Sequence, residues 1–229
     1  MNTTHTLYSW IIHYTPLAER KQHILSLLEK HGMTHEFIQD YDKEALTPQD
    51  LLPFHVSQSL GYGHVSLFKK HFLAYEKIIT SPHTYNLILE DDIIVHPHFN
   101  ELFRRSIVQL PDDYDMLFIG CGCGFRVPSE FREEGKYIYK KRNNEPTDAL
   151  AQLWGAREAT KCCDSYIVSP KCASRILDYA ASLGPNGIGK PLDIWLNHVC
   201  LHLDLKVYWM DPPVIEQGSE TGLFQSSVV

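Results

Sequence analysis

Residues 85–95 read Tyr-Asn-Leu-Ile-Leu-Glu-Asp-Asp-Ile-Ile-Val, an apolar run broken by three consecutive carboxylates, Glu90, Asp91 and Asp92. An apolar run this short fits a strand buried on both faces, as in parallel sheets. Nothing inside such a strand repays the burial of three like charges. The triplet is therefore expected at the strand's end, facing a cleft. With no Lys or Arg in the same stretch, adjacent carboxylates suit a hard cation, which takes oxygen ligands and leaves positions open for phosphate oxygens. A lone acidic pair more often forms a solvated turn closing an ordinary strand. Here the acids stand between two apolar segments, which favours the metal reading.

Strand and helix signals alternate outward from this point. Residues 7–13 form an apolar, β-compatible run, and Thr15-Pro16 then places a capping residue before a proline suited to a first helical turn. Leu17, Ile24, Leu25 and Leu28 recur at helical spacing, with Gly32 just past the end. Residues 36–39 suit a second short strand, followed by a polar, proline-containing stretch through Pro53. Phe68, Phe72, Tyr75 and Ile79 share one face of a helix expected over 64–80. Beyond the acids, Phe99, Leu102, Phe103, Ile107 and Leu110 predict another amphipathic helix, and residues 114–119 another strand. Gly120-Cys121-Gly122-Cys123-Gly124 reads as a flexible turn. No period is sustained over 125–160, a stretch too long for a passive connector and expected to fold over the site or hold a hairpin. Residues 166–169 predict a strand, Ser169-Pro170 a helix start, residues 191–202 a further helix and residues 206–210 a last strand before a polar tail. The repeated βαβ-like order predicts the α/β class in a single domain over 1–229.

The 229 residues can bury one sizeable core. A composition of 44% hydrophobic and 21% charged residues excludes the fibrous and disordered classes. The 28 acidic against 21 basic residues, a net charge of −7, argue against a nucleic-acid partner. No stretch approaches the ~20 apolar residues that cross a bilayer, and the N-terminus lacks a basic stretch followed by an apolar one; a cytoplasmic protein is expected. Cys121, Cys123, Cys162, Cys163, Cys172 and Cys200 have CxC and CC spacings rather than the CxxC pairs of zinc sites. Free thiols are expected in a chain that can build a core without staples. His96 and His98 cannot share a helix face, and His198 and His202 lack the acid of an HExxH arrangement.

Several stretches resemble glycosyltransferase family 25, the lipopolysaccharide and collagen-type galactosyltransferase relatives. Trp10-Ile11-Ile12-His13 with Glu19-Arg20 resembles the family's first strand and helix start. Ser66 through Lys70-His71 to Leu89-Glu90-Asp91-Asp92 resembles its helix and acidic motif, the counterpart of the DxD signature. Asp164-Ser165-Tyr166-Ile167-Val168-Ser169 with Ala173 resembles its acceptor-side strand and helix, Lys190-Pro191-Leu192-Asp193 its Pro-x-Asp loop, and residues 213–219 its terminal element. The chain departs from the pattern where Ser66 and His71 stand apart rather than adjoining, and residues 125–160 match nothing in it.

The resemblance implies a GT-A fold, a Rossmann-like mixed central sheet flanked by helices, with residues 1–120 as the nucleotide-sugar-binding half and 121–229 as the acceptor half. It implies metal-dependent, inverting transfer from a nucleoside-diphosphate donor, a UDP-sugar, to a glycan or glycoprotein, with Mn²⁺ or Mg²⁺ as cofactor. Asp92 is then the direct metal ligand, assisted by Asp91, which otherwise meets sugar or ribose hydroxyls. Glu90, Arg20, Ile12 and Lys70 fall on the donor side. The attacking hydroxyl needs a carboxylate base, for which Asp193 is the first candidate and Asp164 the reserve. Each role has a plainer counterpart. Asp193 fits an early-turn acid favoured by the helix dipole, Arg20 a surface residue of its helix, and Lys69, Lys70 and His71 a solvated helix face. Trp154, Tyr166 and Trp195 are candidates for stacking on acceptor sugars, although aromatic residues are more often core. One of His198 and His202 completes the metal sphere if this chain follows some GT-A enzymes. Two other classes compete: a metal-dependent phosphohydrolase drawing on Asp115 and Asp164, and a catalytically inactive glycan-binding module of the same fold.

Overall fold

A computed structural model describes residues 6–57, 60–122, 124–141 and 160–225. Strand β1 (Leu7–Ile12) runs parallel to β2 (His35–Ile38) on one side and to β3 (Tyr85–Glu90) on the other. Helix α1 (Ala18–His31) links β1 to β2, and the short α2 (Pro48–Leu51) and long α3 (Tyr62–Ile79) link β2 to β3. Then follow β4 (Ile93–Val95), α4 (Phe99–Ile107), β5 (Met116–Phe118), β6 (Ile138–Lys140) and β7 (Ser165–Val168). The chain continues through α5 (Pro170–Ser182), α6 (Leu192–His202), β8 (Val207–Met210), β9 (Ile215–Gln217) and α7 (Gly218–Thr221).

Seven strands form one sheet in the order β2-β1-β3-β7-β5-β8-β6. The fold is the expected mixed α/β, Rossmann-like sheet flanked by helices. A simple repetition of parallel units stops at β7, which lies antiparallel between β3 and β5. Residues 1–120 and 121–229 thus share one sheet. Strand alternation divides the core. Trp10, Ile12, Ile88, Phe118, Tyr166 and Trp209 face the α3, α5 and α6 side, whereas Ile11, Leu87, Leu89, Leu117 and Ile167 face α1 and α4. Burial on both faces is why these strands read as unbroken apolar runs.

Local signals fix most helix ends. Gly32 closes α1 in the left-handed region at φ 62°, and the Ser169 hydroxyl accepts from the Cys172 N–H at the start of α5. Thr15 does not cap α1, whose N-cap is Leu17 without a side-chain bond. A Thr47/Asp50 capping box nucleates α2 inside the polar stretch before Pro53, and on α3 it is Ile78 rather than Ile79 that is buried. The tail is ordered too: β9 pairs antiparallel with β4 as a second sheet. Of the unperiodic stretch, β6 joins the main sheet beside β8, and residues 142–159, with Trp154, lie outside the described residues. Among the described residues no helix is long and apolar enough to cross a membrane, and Cys121, Cys163, Cys172 and Cys200 are free thiols.

Candidate active site

Parallel strands β1, β3, β5 and β8 end at one edge of the sheet, and antiparallel β7 begins there. This brings together His13, Glu90, Asp91, Asp92, Asp164, Gly120 and Asp211. The strand order switches between β1 and β3, since β2 lies on one side of β1 and β3 on the other, and at such a point α/β sheets open a crevice for ligands. An open pocket occupies that place, lined by Ile12, Tyr14, Arg20, Lys43, Ser66, Lys70, Glu90 and Asp91, among others.

Asp91 is fully engaged within the fold. Its Oδ2 lies 2.6 Å from His13 Nδ1, and its Oδ1 accepts from Arg20 Nη1 at 3.0 Å. The same Arg20 nitrogen stands 3.6 Å from Asp92 Oδ2. Arg20 also donates to the Gln225 carbonyl, and its guanidinium lies 5.3 Å from the Phe224 ring centroid. The expectation of acids without a nearby base is therefore corrected: α1 and β1 deliver Arg20 and His13 from distant sequence. Asp91, though part of the pocket wall, and Asp92 are both buried rather than exposed.

Lys70 and His71 are buried, which overturns a solvated face for that pair. Lys70 Nζ donates to the carbonyls of His13 (2.8 Å) and Gln39 (3.1 Å) and to Asp42 (2.7 Å), while burial lowers its pKa. His71 Nδ1 lies 2.7 Å from the Tyr166 hydroxyl, which lies 2.6 Å from that of Tyr75. Burial pushes the His71 pKa down to about 3, so the ring is neutral. Lys69 pairs with Asp50 at 3.0 Å.

Glu90, Asp92 and Asp164 form the set whose pKa burial raises, and of these Asp92 keeps the Arg20 guanidinium at 3.6 Å. Burial, then the charges of Asp92, Asp164 and Asp91, push the Glu90 pKa up. Burial raises Asp92 as well, opposed by Arg20 and a Ser219 hydrogen bond. Asp164 is pushed up by burial to about 7, although the Ser165 hydroxyl donates to its Oδ2 at 2.8 Å. Among the described residues, Asp92 Oδ1 and Asp164 Oδ1 are buried with no hydrogen-bond partner. Two glycines permit this crowding. A Cβ on Gly120 would overlap Asp164 and Ser165, and one on Gly218 would overlap the Asp92 carbonyl, so the glycine-rich turn serves close approach rather than flexibility alone. The Gly218 N–H donates to that carbonyl at 2.6 Å, so the tail takes part in the site. Its β9 segment gave no periodic signal; only the resemblance over 213–219 pointed to it.

Asp193 is half-buried in the first turn of α6. Burial, then the charges of Asp193, Glu90 and Asp164, raise the Cys163 thiol pKa, which puts Asp193 within electrostatic range of the thiol that the acid cluster also acts on. The other expected groups lie elsewhere. Trp195 packs on Phe68, Phe72 and Tyr179, and Tyr166 stacks on His71 and Phe118; both are core. His198 neighbours Lys190, and His202 stands 4.7 Å from the Tyr179 ring. Asp115 accepts from the Lys206 N–H at the opposite strand edge. Among the described residues no three or more His, Cys, Asp or Glu side chains form a metal-holding group by themselves.

A cation-lined crevice beside a buried acid cluster, at the carboxyl edge of an α/β sheet, is the layout of a ligand-handling α/β enzyme. The pattern described as glycosyltransferase family 25 (LPS biosynthesis protein) matches residues 8–195. The chain belongs to this family and is a glycosyltransferase, which takes a sugar donor and an acceptor. A search of curated proteins found no match. The matched span holds Arg20, the acid triplet, Asp164 and Asp193 and stops short of the tail that touches Asp92.

Proposed function

We propose that the protein moves a sugar, with inversion, from a UDP-sugar to a hydroxyl of a glycan or glycoprotein, with Mn²⁺ or Mg²⁺ as cofactor and a GT-A arrangement of the sheet. The observation that carries this reading is the trio Glu90, Asp92 and Asp164, three carboxyls raised by burial, two with an unpartnered buried oxygen, beside a crevice lined by Arg20 and Lys70. Such a set fits a hard cation held by one or two carboxylates and completed by phosphate oxygens and water. Asp92 would be the first ligand and Asp164 the second. When bound, the cation supplies neutralisation of the charge that grows on the departing diphosphate.

The chain's own groups do the remaining work. Asp91, tied to His13 and Arg20, fixes the guanidinium rather than sharing the metal. Arg20 then faces the diphosphate with its planar donors. The N-terminus of α3, with Gly63 and Ser66 in the pocket wall, adds backbone N–H groups of the kind that favour anions. Ile12 lines the crevice beside Glu90, with which it is in register. Lys70 ties the His13 and Gln39 carbonyls to Asp42 and so braces the ends of β1 and β2. Asp193 takes the acceptor's proton. Calorimetric titration with UDP-sugars, with and without Mn²⁺, tests the reading. Metal-dependent binding without phosphate release supports it; phosphate release without acceptor indicates a hydrolase, and absence of nucleotide binding indicates a glycan-binding module.

A further inference from the structure

Beyond Asp164 along the same strand edge lies a buried amine to which the transfer described above gives no role. Lys161 is 1% exposed, and among the described residues its Nζ has no hydrogen-bond partner. It stands 5.0 Å from the centroid of the buried Trp209 ring. A Cβ on Gly122 would overlap the Lys161 carbonyl, so residues 120–122 pack backbone to backbone on the segment that carries Lys161 and Asp164. Burial and then the charge of Arg126 lower the Lys161 pKa to about 8, while Asp211, Asp164 and Cys121 oppose them. Asp211 Oδ2 is held by Arg132 at 2.8 Å and Asp164 Oδ2 by Ser165, and among the described residues the Oδ1 atoms of both make no hydrogen bond to the amine. A desolvated ammonium repelled by a second cation is costly unless an anion joins it, and such local conflicts are expected where a ligand binds.

We propose that Lys161, assisted by the charge of Arg126, is a subsite for an anionic substituent, a carboxylate or a phosphate monoester, on a sugar that this enzyme handles. The layout of the edge supports this. The cation-lined crevice lies over β1 and β3, the acids over β3 and β7, and Lys161 beside Trp209 of β8. Lys161 lies on the far side of the acids from the crevice, so the acceptor is the first source of the anion and the donor's own sugar the second. This assignment rests on the transferase reading, but its test reads binding and fails separately.

Thermal shifts of wild type, Lys161→Met and Arg126→Gln would be measured with glucose, glucose 6-phosphate and glucuronic acid as the acceptor arm. UDP-glucose and UDP-glucuronic acid with Mn²⁺ form the donor arm. Wild type is expected to be stabilised by the anionic member of an arm beyond its neutral partner, by on the order of 5 °C at about 100-fold excess over Kd. The arm that shows this names the source. Lys161→Met should abolish the difference and melt at or above ligand-free wild type, because an unpaired buried charge has gone. Arg126→Gln, at a half-buried position, should weaken it and keeps the test decisive if Lys161→Met does not fold. The proposal is overturned if wild type prefers no anionic sugar in either arm, or if the preference survives in both variants. UDP-glucose with Mn²⁺ should stabilise Lys161→Met as it does wild type. If no UDP-sugar binds wild type, the transferase reading fails, and the anion subsite stands or falls on the acceptor arm.

Discussion

Asp164→Asn reads the acid cluster most directly. The Asp164 carboxyl is 1% exposed, and burial moves its pKa from 3.8 to about 7. A folded value above the unfolded one means that the native state keeps a proton which the unfolded chain releases. Its contribution to stability is full below the unfolded pKa and is lost as pH rises through the folded one. Linkage then gives about 4 kcal/mol lost in all, of which about 2.5 kcal/mol falls between about pH 5 and pH 8. For a chain of this size that is a Tm change of about 5–10 °C. In EDTA, wild type should therefore lose Tm across this window, and Asp164→Asn should lose less by that amount. Burial raises Glu90 and Asp92 in the same direction, so the variant keeps a residual slope. Mn²⁺ should flatten the wild-type curve more than that of the variant, because a bound cation favours the ionised carboxylates. Melting by fluorescence at matched ionic strength is the assay. Parallel pH curves for the two proteins would refute the uncompensated buried carboxyl, and with it the support this gives to the metal reading.

Asp92→Ala is expected to abolish Mn²⁺-dependent UDP-sugar binding and to leave Tm unchanged or higher, because it relieves repulsion with Glu90 and Asp91; calorimetry showing wild-type affinity would remove Asp92 from the metal site. Asp193→Asn should keep donor affinity yet lower transfer by on the order of 10²–10⁴-fold. Transfer at a near-wild-type rate would move the base to Asp164, and equal loss of binding and turnover would make Asp193 a donor-sugar ligand. A mild reductant should leave Tm unchanged, since Cys121, Cys163, Cys172 and Cys200 are thiols; a drop of several degrees would reveal a structural disulfide.

Elements buried on both faces were legible in the chain. The runs that became β1, β3, β5 and β8 are continuous because neither face meets water, and Gly32 and Ser169 mark helix ends by local backbone chemistry. Signals failed where structure depends on partners far along the chain. Strands β4 and β9 have three residues each, too few for a period to develop, and exist because they pair with one another. The antiparallel direction of β7 follows from the connections on either side of it, which the residues of the strand do not encode. Lys70 and His71 look like a polar helix face until the ends of β1 and β2 and the hydroxyl of Tyr166 are placed against them.

The candidate site shows the same division in its charges. Counting only the neighbours in sequence leaves Glu90, Asp91 and Asp92 without a counter-charge, and the inference of a cation follows. Folding neutralises Asp91 through His13 and Arg20, which by itself would weaken that inference. It also brings in Asp164 from β7, and Asp164 raises the Glu90 pKa together with Asp92. The acids whose pKa burial raises are then Glu90, Asp92 and Asp164, with Asp164 in the place expected for Asp91. The exchange shifts the proposed metal centre from the β1 side of β3 to the β7 side, toward Asp193 and away from His13. Arg20, held by Asp91 and lining the crevice, stands where the proposed donor's diphosphate would meet it, and substitutions at Asp91 should act through Arg20 rather than through metal affinity.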